Sequence, residues 1–441
     1  MEKITYVFKS EKLYGYIQGE DLFLFDDENN EIKSNEKWDE LFDILPEGID
    51  LKIMLNSYNI QDSKKELFMY LKNPIGDYYF SGSRKYQNEL VLSDPIKESN
   101  EILHVLNYDI KIGNLRLYPD PEISAKNREI QQLSISGYQH KLQVGIFNNE
   151  IKESYSNFIL KPANSEFPLV ALNEHLHTKF MGELGFNTPF SGVIYDEKVK
   201  DFHYIVKRFD IDESGNKRAQ ISLNALMKSK DKYDGTIDQV SKFLSPRLDK
   251  EQSLKFIGYI YANALLYNSD LHKKNISFMA ENDALKLSPA YDVINLYPLK
   301  GYSDNQTHLK IAGRNNKITI SDFDDIAKNF GLNIDESRQS LQNIFKAYKE
   351  KYPLYIEELL KEFDKSLVGE FARKLTQSYE LNLGTAKVKD HILASMQSTQ
   401  APKERDDSVE AIFSRLGASY ITKLQSGAIE TPTDKSKGKE R

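Results

Sequence analysis

The 441-residue chain contains no cysteine. That excludes disulfides, thiolate zinc sites and cysteine nucleophiles together. It also lacks a long apolar run. Phe256 to Leu266 is nearly continuous in apolar residues but carries Asn263 inside it, and it falls well short of the ~20 residues a membrane span needs. The start, Met1-Glu2-Lys3-Ile4, has no signal-peptide pattern, and Glu11, Lys12, Glu20 and Asp21 come too soon for one. There is no excess of positive charge. The net charge of −7 argues against nucleic-acid binding driven by bulk charge. A local basic patch, or a partner that supplies the basic surface, stays open. No internal repeat is visible. What remains is 40% apolar and 28% charged residues, the balance of a soluble globular chain. The expectation is a cytoplasmic protein of two or three folding units with no membrane contact.

The informative stretch is Tyr267 to Phe278. An apolar segment runs into Asp270, His272, Lys274 and Asn275, and the chain then turns apolar again at Ile276 and Phe278. A second carboxylate, Asp292, follows beyond a short predicted strand. An Asp, an Asn five positions on and a further Asp is how protein kinases place a catalytic base and two Mg²⁺ ligands.

The rest of the chain can be ordered around that stretch. Residues 1–110 read as a small α+β unit. Its strands are Ile4 to Phe8, Leu13 to Ile17 and Leu22 to Phe25, and its helices are Glu36 to Leu45 and Ser63 to Leu71, with Pro46-Glu47-Gly48 as a stop. Residues 125–218 follow a β-β-β-α-β-β order that matches the small lobe of a kinase. A hairpin turns at Gly137, a strand Asn157 to Lys161 ends on a lysine, and a helix spans Val170 to Leu184 with Leu172, Leu176, Phe180 and Leu184 on one face. Residues 219–385 read as mostly helical, including Leu254 to Tyr267, a helix opening near Ser321, then Asp335 to Tyr348 and Leu354 to Leu375. Residues 386–441 differ in composition. They read as a linker, one amphipathic helix over Ser408 to Leu424 and a disordered charged tail.

Each candidate residue has a chemical and a plain reading. Asp270 suits the general base of phosphoryl transfer, which needs a carboxylate to take the hydroxyl proton; the same residue could simply end a buried helix. Asn275 and Asp292 offer the hard oxygen donors Mg²⁺ prefers, or are a turn residue and a strand-end carboxylate. Lys161, positioned by Glu174, could neutralise phosphate charge, or both could be solvated. The loop Ser134-Ile135-Ser136-Gly137-Tyr138-Gln139-His140-Lys141 could cradle phosphates through backbone N–H groups and offers two acceptor hydroxyls, or it is a plain hairpin. His175 and His177 lie two apart and point to different faces of their helix, so they do not form a metal pair with His272.

Taken together, the residues resemble the HipA family of serine/threonine kinases, the toxin halves of bacterial toxin–antitoxin pairs. The matches are Leu45-Pro46-Glu47-Gly48, Gly76-Asp77, Ile135 to Lys141, Phe158 to Pro162, Asn173-Glu174, Lys207-Arg208-Phe209-Asp210, Ser269 to Asn275 and Leu287 to Val293, in order over about residues 1–380. The resemblance implies a two-lobed, protein-kinase-like α+β fold related to lipid kinases. It has a small N-terminal subdomain, a mostly helical C-terminal lobe, and ATP bound between the lobes. It makes Asp270 the proton acceptor, Asn275 and Asp292 the holders of Mg²⁺, and Lys161 the phosphate contact. Ser136, Gly137, Tyr138, Gln139, His140 and Lys141 would form the ATP loop, and Lys207, Arg208 and Phe209 the hinge. His272, Lys274 and Tyr291 would flank the nucleotide. Ser134, with Ser136 as a second candidate, falls where the family autophosphorylates to shut itself off. The family's best-known target is glutamyl-tRNA synthetase, and its usual partner is a small helix-turn-helix antitoxin that brings the complex to operator DNA. Lys207 stands where an acidic residue is common, leaving the adenine contact to backbone. Two other readings stay open: a non-catalytic nucleotide-binding subunit of a DNA-bound repressor, and a lipid or small-molecule kinase.

Overall fold

The alternating apolar pattern of residues 4–25 folds as the expected meander and recruits two further strands. The computed structural model describes residues 3–61, 63–97, 101–106, 110–118, 140–281, 284–299 and 305–397. Strands β1 (Ile4–Lys9), β2 (Lys12–Gln18), β3 (Asp21–Phe25), β4 (Glu31–Lys33) and β5 (Tyr78–Ser81) form an antiparallel sheet ordered β4-β3-β2-β1-β5. Val7, Ile17, Leu22 and Leu24 bury one face against helices α1 (Trp38–Asp43) and α2 (Gly48–Tyr58).

Helix α2 was not expected. Gly48 reads as a stop, yet it opens this helix: Glu47 is extended at the cap, and Asp50 lies in the first turn, where a carboxylate complements the helix dipole. The expected helix at residues 63–71 is a 3₁₀ helix, Lys64–Tyr70.

The second sheet holds β6 (Lys111–Ile112), β7 (Leu142–Phe147), β8 (Glu150–Glu153), β9 (Phe158–Lys161), β10 (Ser191–Asp196) and β11 (Asp201–Lys207), ordered β10-β11-β9-β7-β8-β6. Helix α3 (Val170–Glu183) lies between β9 and β10 in sequence and packs on β10 and β11. The two sheets share one apolar core, in which Val7, Phe80, Leu142, Val144 and Ile205 belong to a single cluster.

The helical part carries a small sheet of β12 (Gln220–Ser222), β13 (Ser277–Glu281) and β14 (Ala284–Leu287). Its helices are α4 (Leu223–Leu226), α5 (Ile237–Leu244), α6 (Lys250–Leu265), α7 (Asp324–Asn329), α8 (Ile334–Glu362) and α9 (Lys365–Gln397). The two expected helices at 335–348 and 354–375 divide elsewhere: α8 runs through Pro353 and the break falls at residues 363–364. Tyr348, Tyr352 and Tyr355 pack edge-on around Phe180, so buried aromatic surface on both sides of Pro353 offsets the backbone bond that proline cannot make. Residues 1–387 form one compact unit and 388–441 a second. The linker, helix and tail expected after residue 397 lie outside the described residues. Among the described residues no helix is long and apolar enough to cross a membrane.

Candidate active site

Helix α6 leads into the loop that carries Asp270. Asp249 caps its start by accepting from the Gln252 N–H at 2.7 Å. Past its end, Tyr267 takes a left-handed φ of 52°. Asn263, the polar residue inside the apolar run, is fully buried; its amide donates to Tyr259 C=O at 2.9 Å and accepts from Asn268 at 2.8 Å. The Asn268 amide also donates to the backbone carbonyl of Asp292 at 3.3 Å. A buried amide relay thus fixes the loop that carries Asp270 against the loop that carries Asp292.

Asp292 has φ 51°, a conformation that costs a non-glycine residue and is tolerated best by Asn and Asp. It turns the carboxylate back onto β9. There Lys161, the last residue of the strand, contacts both Asp292 and Glu174 of α3, the latter at 2.6 Å. Lys161 and Glu174 are almost completely buried, while Asp292 keeps 23% of its side chain exposed. Burial works against the Lys161 charge, but Asp292 and Glu174 outweigh it and raise its pKa. Burial also opposes ionisation of Asp292, yet Lys161 and Lys141 hold its carboxyl well below the usual range. Glu174 goes the other way: burial, with the Asp292 charge beside it, pushes it up to about 7. Its Oε2 is buried with no hydrogen-bond partner among the described residues.

These groups line one cavity of about 470 Å³ together with Asp270, His272, Lys274, Asn275 and Tyr291. Burial raises Asp270 to about 6, opposed by Lys232 and assisted by Asp292. The Asn275 side chain donates to the Asp270 carbonyl at 3.1 Å, which leaves its amide oxygen as the group able to meet a cation. Asn275 and Asp292 are hard oxygen donors lining one cavity, and Mg²⁺ usually takes only one or two ligands from protein beside phosphates. The donor set therefore fits that ion. Among the described residues no cluster of three or more His, Asp or Glu side chains could hold a metal without such help.

His272 is lowered to about 4 by burial and by Lys232, so it is neutral; its ring meets Tyr233 edge-on, 5.0 Å between centroids. The Tyr291 hydroxyl donates to the Lys274 carbonyl at 3.0 Å. Lys207 and Phe209 line the cavity, and the Phe209 ring lies 5.6 Å from that of Tyr291. Arg208 also lines it, but its guanidinium is engaged in the protein, with Asp210 and with the carbonyls of Asn73 and Pro74 at 2.8 and 2.7 Å. Ser134, Ser136, Gly137, Tyr138 and Gln139 lie outside the described residues. The end of their loop is fixed: Asp50 accepts from the Lys141 N–H at 3.1 Å and meets His140 Nδ1 at 2.5 Å. Lys141 reaches the cavity, and burial pushes its ammonium below the ordinary range. His175 and His177 are buried structural groups, bonded to Ser191 and Tyr352.

Sequence reasoning missed the part of the cavity lining supplied by Asp43, Ile44, Glu47 and Ile75. Glu47 accepts from Lys274 at 2.6 Å and Lys232 at 2.8 Å. Against the effect of burial, these two lysines hold it down to about 2. The motif Leu45-Pro46-Glu47-Gly48 was visible as a marker, but nothing local says that its glutamate reaches a cleft built more than 180 residues later.

Residues 133–353 match the HipA-like C-terminal domain family. A Haemophilus influenzae protein named as a kinase is 35% identical over 195 residues, which is 40% of this chain and 56% of the relative, so the match spans little more than half of that protein. Among solved structures, the chain is similar to Shewanella oneidensis HipA, solved in a complex with HipB and its operator DNA. That match has 16% identity and a TM-score of 0.59, and covers 88% of this chain and 99% of the other. Its resemblance in fold makes this an α+β, two-lobed, kinase-like architecture. The Helicobacter pylori proinflammatory kinase CtkA matches more loosely, at 12% identity and a TM-score of 0.44 over 66% of this chain and 99% of the other.

Proposed function

The chain belongs to the HipA-like C-terminal domain family, and from that premise we propose that it is a Mg-ATP-dependent serine/threonine protein kinase. One observation carries the proposal: Asp270, Asn275 and Asp292, neighbours in sequence, line a single cleft with Lys161 from a distant strand. In this reading Asp270 accepts the proton of the attacking hydroxyl, a contribution worth roughly 10²–10⁴ in rate for a positioned base. Its pKa near 6 leaves it ionised at neutral pH yet basic enough to act. Lys161 neutralises phosphate charge from the end of β9, with Glu174 orienting it. Asn275 and Asp292 would hold Mg²⁺, which supplies charge neutralisation at the transferring phosphoryl group. Phe209, His272 and Tyr291 would flank the nucleotide.

The acceptor is proposed to be a serine or threonine of a cytoplasmic protein, an aminoacyl-tRNA synthetase such as glutamyl-tRNA synthetase among the candidates, with growth arrest as the consequence. Ser134 or Ser136 in the ATP loop would be the self-limiting phosphorylation site, since a phosphate there adds up to two negative charges beside those of ATP. The partner is proposed to be a small DNA-binding antitoxin, by analogy with the HipB complex of the Shewanella protein. The complete set of Asp270, Asn275 and Asp292 weighs against a purely regulatory subunit. Incubation with radiolabelled ATP, Mg²⁺ and host lysate, with wild type and Asp270→Asn in parallel, tests the reading. Label transfer by wild type alone is expected; no transfer to itself or to any lysate protein overturns it.

A further inference from the structure

Behind the cavity, four buried side chains close into a hydrogen-bonded ring that has no part in the chemistry above. Asn173 immediately precedes Glu174 on α3. Its side chain accepts from the Asn295 N–H at 2.9 Å and donates to the Asn295 carbonyl at 2.8 Å. Asn295 lies three residues past Asp292. The Asn295 amide in turn donates to the Tyr352 hydroxyl at 3.3 Å and to Ser378 Oγ at 3.2 Å. Tyr352 Oη is 2.7 Å from His177 Nε2, and His177 Nδ1 is 2.8 Å from the carbonyl of Asn173, which closes the circuit.

The partners fix the direction of every bond. A carbonyl only accepts, so His177 Nδ1 carries the proton and Nε2 is the acceptor of a neutral imidazole. Tyr352 therefore donates to His177 and accepts from Asn295. Asn173, His177, Asn295 and Tyr352 are all fully buried. Polar groups so placed cost stability unless satisfied, and a satisfied network specifies one arrangement of the elements that carry it. Those elements are α3, the loop after Asp292, α8 and, through Ser378, α9.

We propose that Asn173 is a positioning residue that locks the helix bearing Glu174 to the loop bearing Asp292, so that the Lys161–Glu174–Asp292 triad stands assembled before nucleotide arrives. Ion pairing alone would let the helix slide while Lys161 followed it. Two bonds from one side-chain amide to one backbone residue fix both separation and register. Protein kinases control activity by moving the corresponding helix; here that helix is bolted to the metal-binding loop and to two helices of the far lobe, so it is no switch. What the triad does rests on the kinase reading; that the lock exists does not.

The test is hydrogen–deuterium exchange on the nucleotide-free full chain, comparing wild type, Asn173→Ala and Tyr352→Phe. The expected result for Asn173→Ala is that residues 171–177 and 291–297 exchange faster together, by at least about tenfold, while strands β1–β3 are unchanged. Tyr352→Phe keeps the ring and removes only the hydroxyl, so it is expected to fold and to show the same paired pattern to a lesser degree. It carries the test if Asn173→Ala does not fold. Acceleration of only one segment, or of neither, overturns the proposal. In turnover, Asn173→Ala is expected to lower kcat at least about tenfold with the KM for acceptor within about threefold, the signature of lost positioning; an unchanged kcat overturns it. Failure of wild type to transfer phosphate would sink the kinase reading and leave the exchange pattern intact.

Discussion

Asn275 donates its side-chain amide to the backbone carbonyl of Asp270 at 3.1 Å, so the candidate cation ligand also braces the candidate base. One hydrogen bond holds the two residues in register, and because the Asp270 backbone accepts it, replacing the Asp270 side chain leaves the brace in place.

Asp270→Asn separates catalysis from stability. Burial raises the Asp270 pKa to about 6 from an ordinary value near 4, so the folded state holds this proton more tightly than the unfolded state. The ionised carboxylate therefore weakens the fold, progressively as pH rises from about 4 to 6 and fully above that. The amide is expected to abolish phosphate transfer and to stabilise the protein by about 1–2 kcal/mol at pH 7.5. That gain should vanish near pH 4. Thermal melts across pH check it, and a lower Tm at pH 7.5 contradicts it.

The same group sets the pH dependence of turnover. A base must be ionised, so kcat/KM for the acceptor should rise with pH through an apparent pKa of about 6. Lys232 favours the ionised form, so Lys232→Met is expected to move that limb upward. A limb that stays put would show that a different group titrates.

Lys161→Met should be worse for the fold than its size suggests. It removes the cation shared by Glu174 and Asp292 and leaves two carboxyls without it, a loss of about 3 kcal/mol for breaking a largely buried pair. Adding Glu174→Leu should recover part of that loss. Denaturant midpoints of the single and double variants at pH 7 decide the matter; strictly additive losses would deny the coupling.

Asp50→Asn addresses the loop. The carboxylate serves His140 with one oxygen and the Lys141 N–H with the other. An amide puts a donor against one of them. The expected outcome is a loss of about 1–3 kcal/mol of stability, the cost of a mismatched buried hydrogen bond, together with weaker ATP binding by calorimetry. Unchanged ATP affinity would mean that the loop end does not depend on this anchor.

Much of this was legible in the chain because it is local. The spacing of Leu172, Leu176 and Phe180 marks α3, although the helix proves buried nearly all round, Asn173, Glu174, His175 and His177 included. Asp270, Asn275 and Asp292 could be named because a loop and the following hairpin put them close in sequence. Gly48 was misread because a glycine after a helix is a stop only if no second helix begins there. Pro353 lies inside α8 because packing around Phe180 outweighs one lost backbone bond, and no window of sequence contains both. Glu47 in the cleft and the guanidinium of Arg208 held by Asn73 and Pro74 are products of long-range packing alone. The left-handed backbone at Asp292 has no signature beyond the tolerance of aspartate for it.

The buried Arg208 has a final consequence. Its partners are carbonyls of the first unit, Asp210 receives the Gly76 N–H at 2.9 Å, and both sheets draw on one apolar core. Separating the first hundred residues from the rest would strip the guanidinium of two carbonyl acceptors, leaving it Asp210 and Gln143, and would bare the undersides of two sheets. Heat should therefore melt residues 1–387 in one cooperative step, a single calorimetric peak, instead of peeling off the leading segment first.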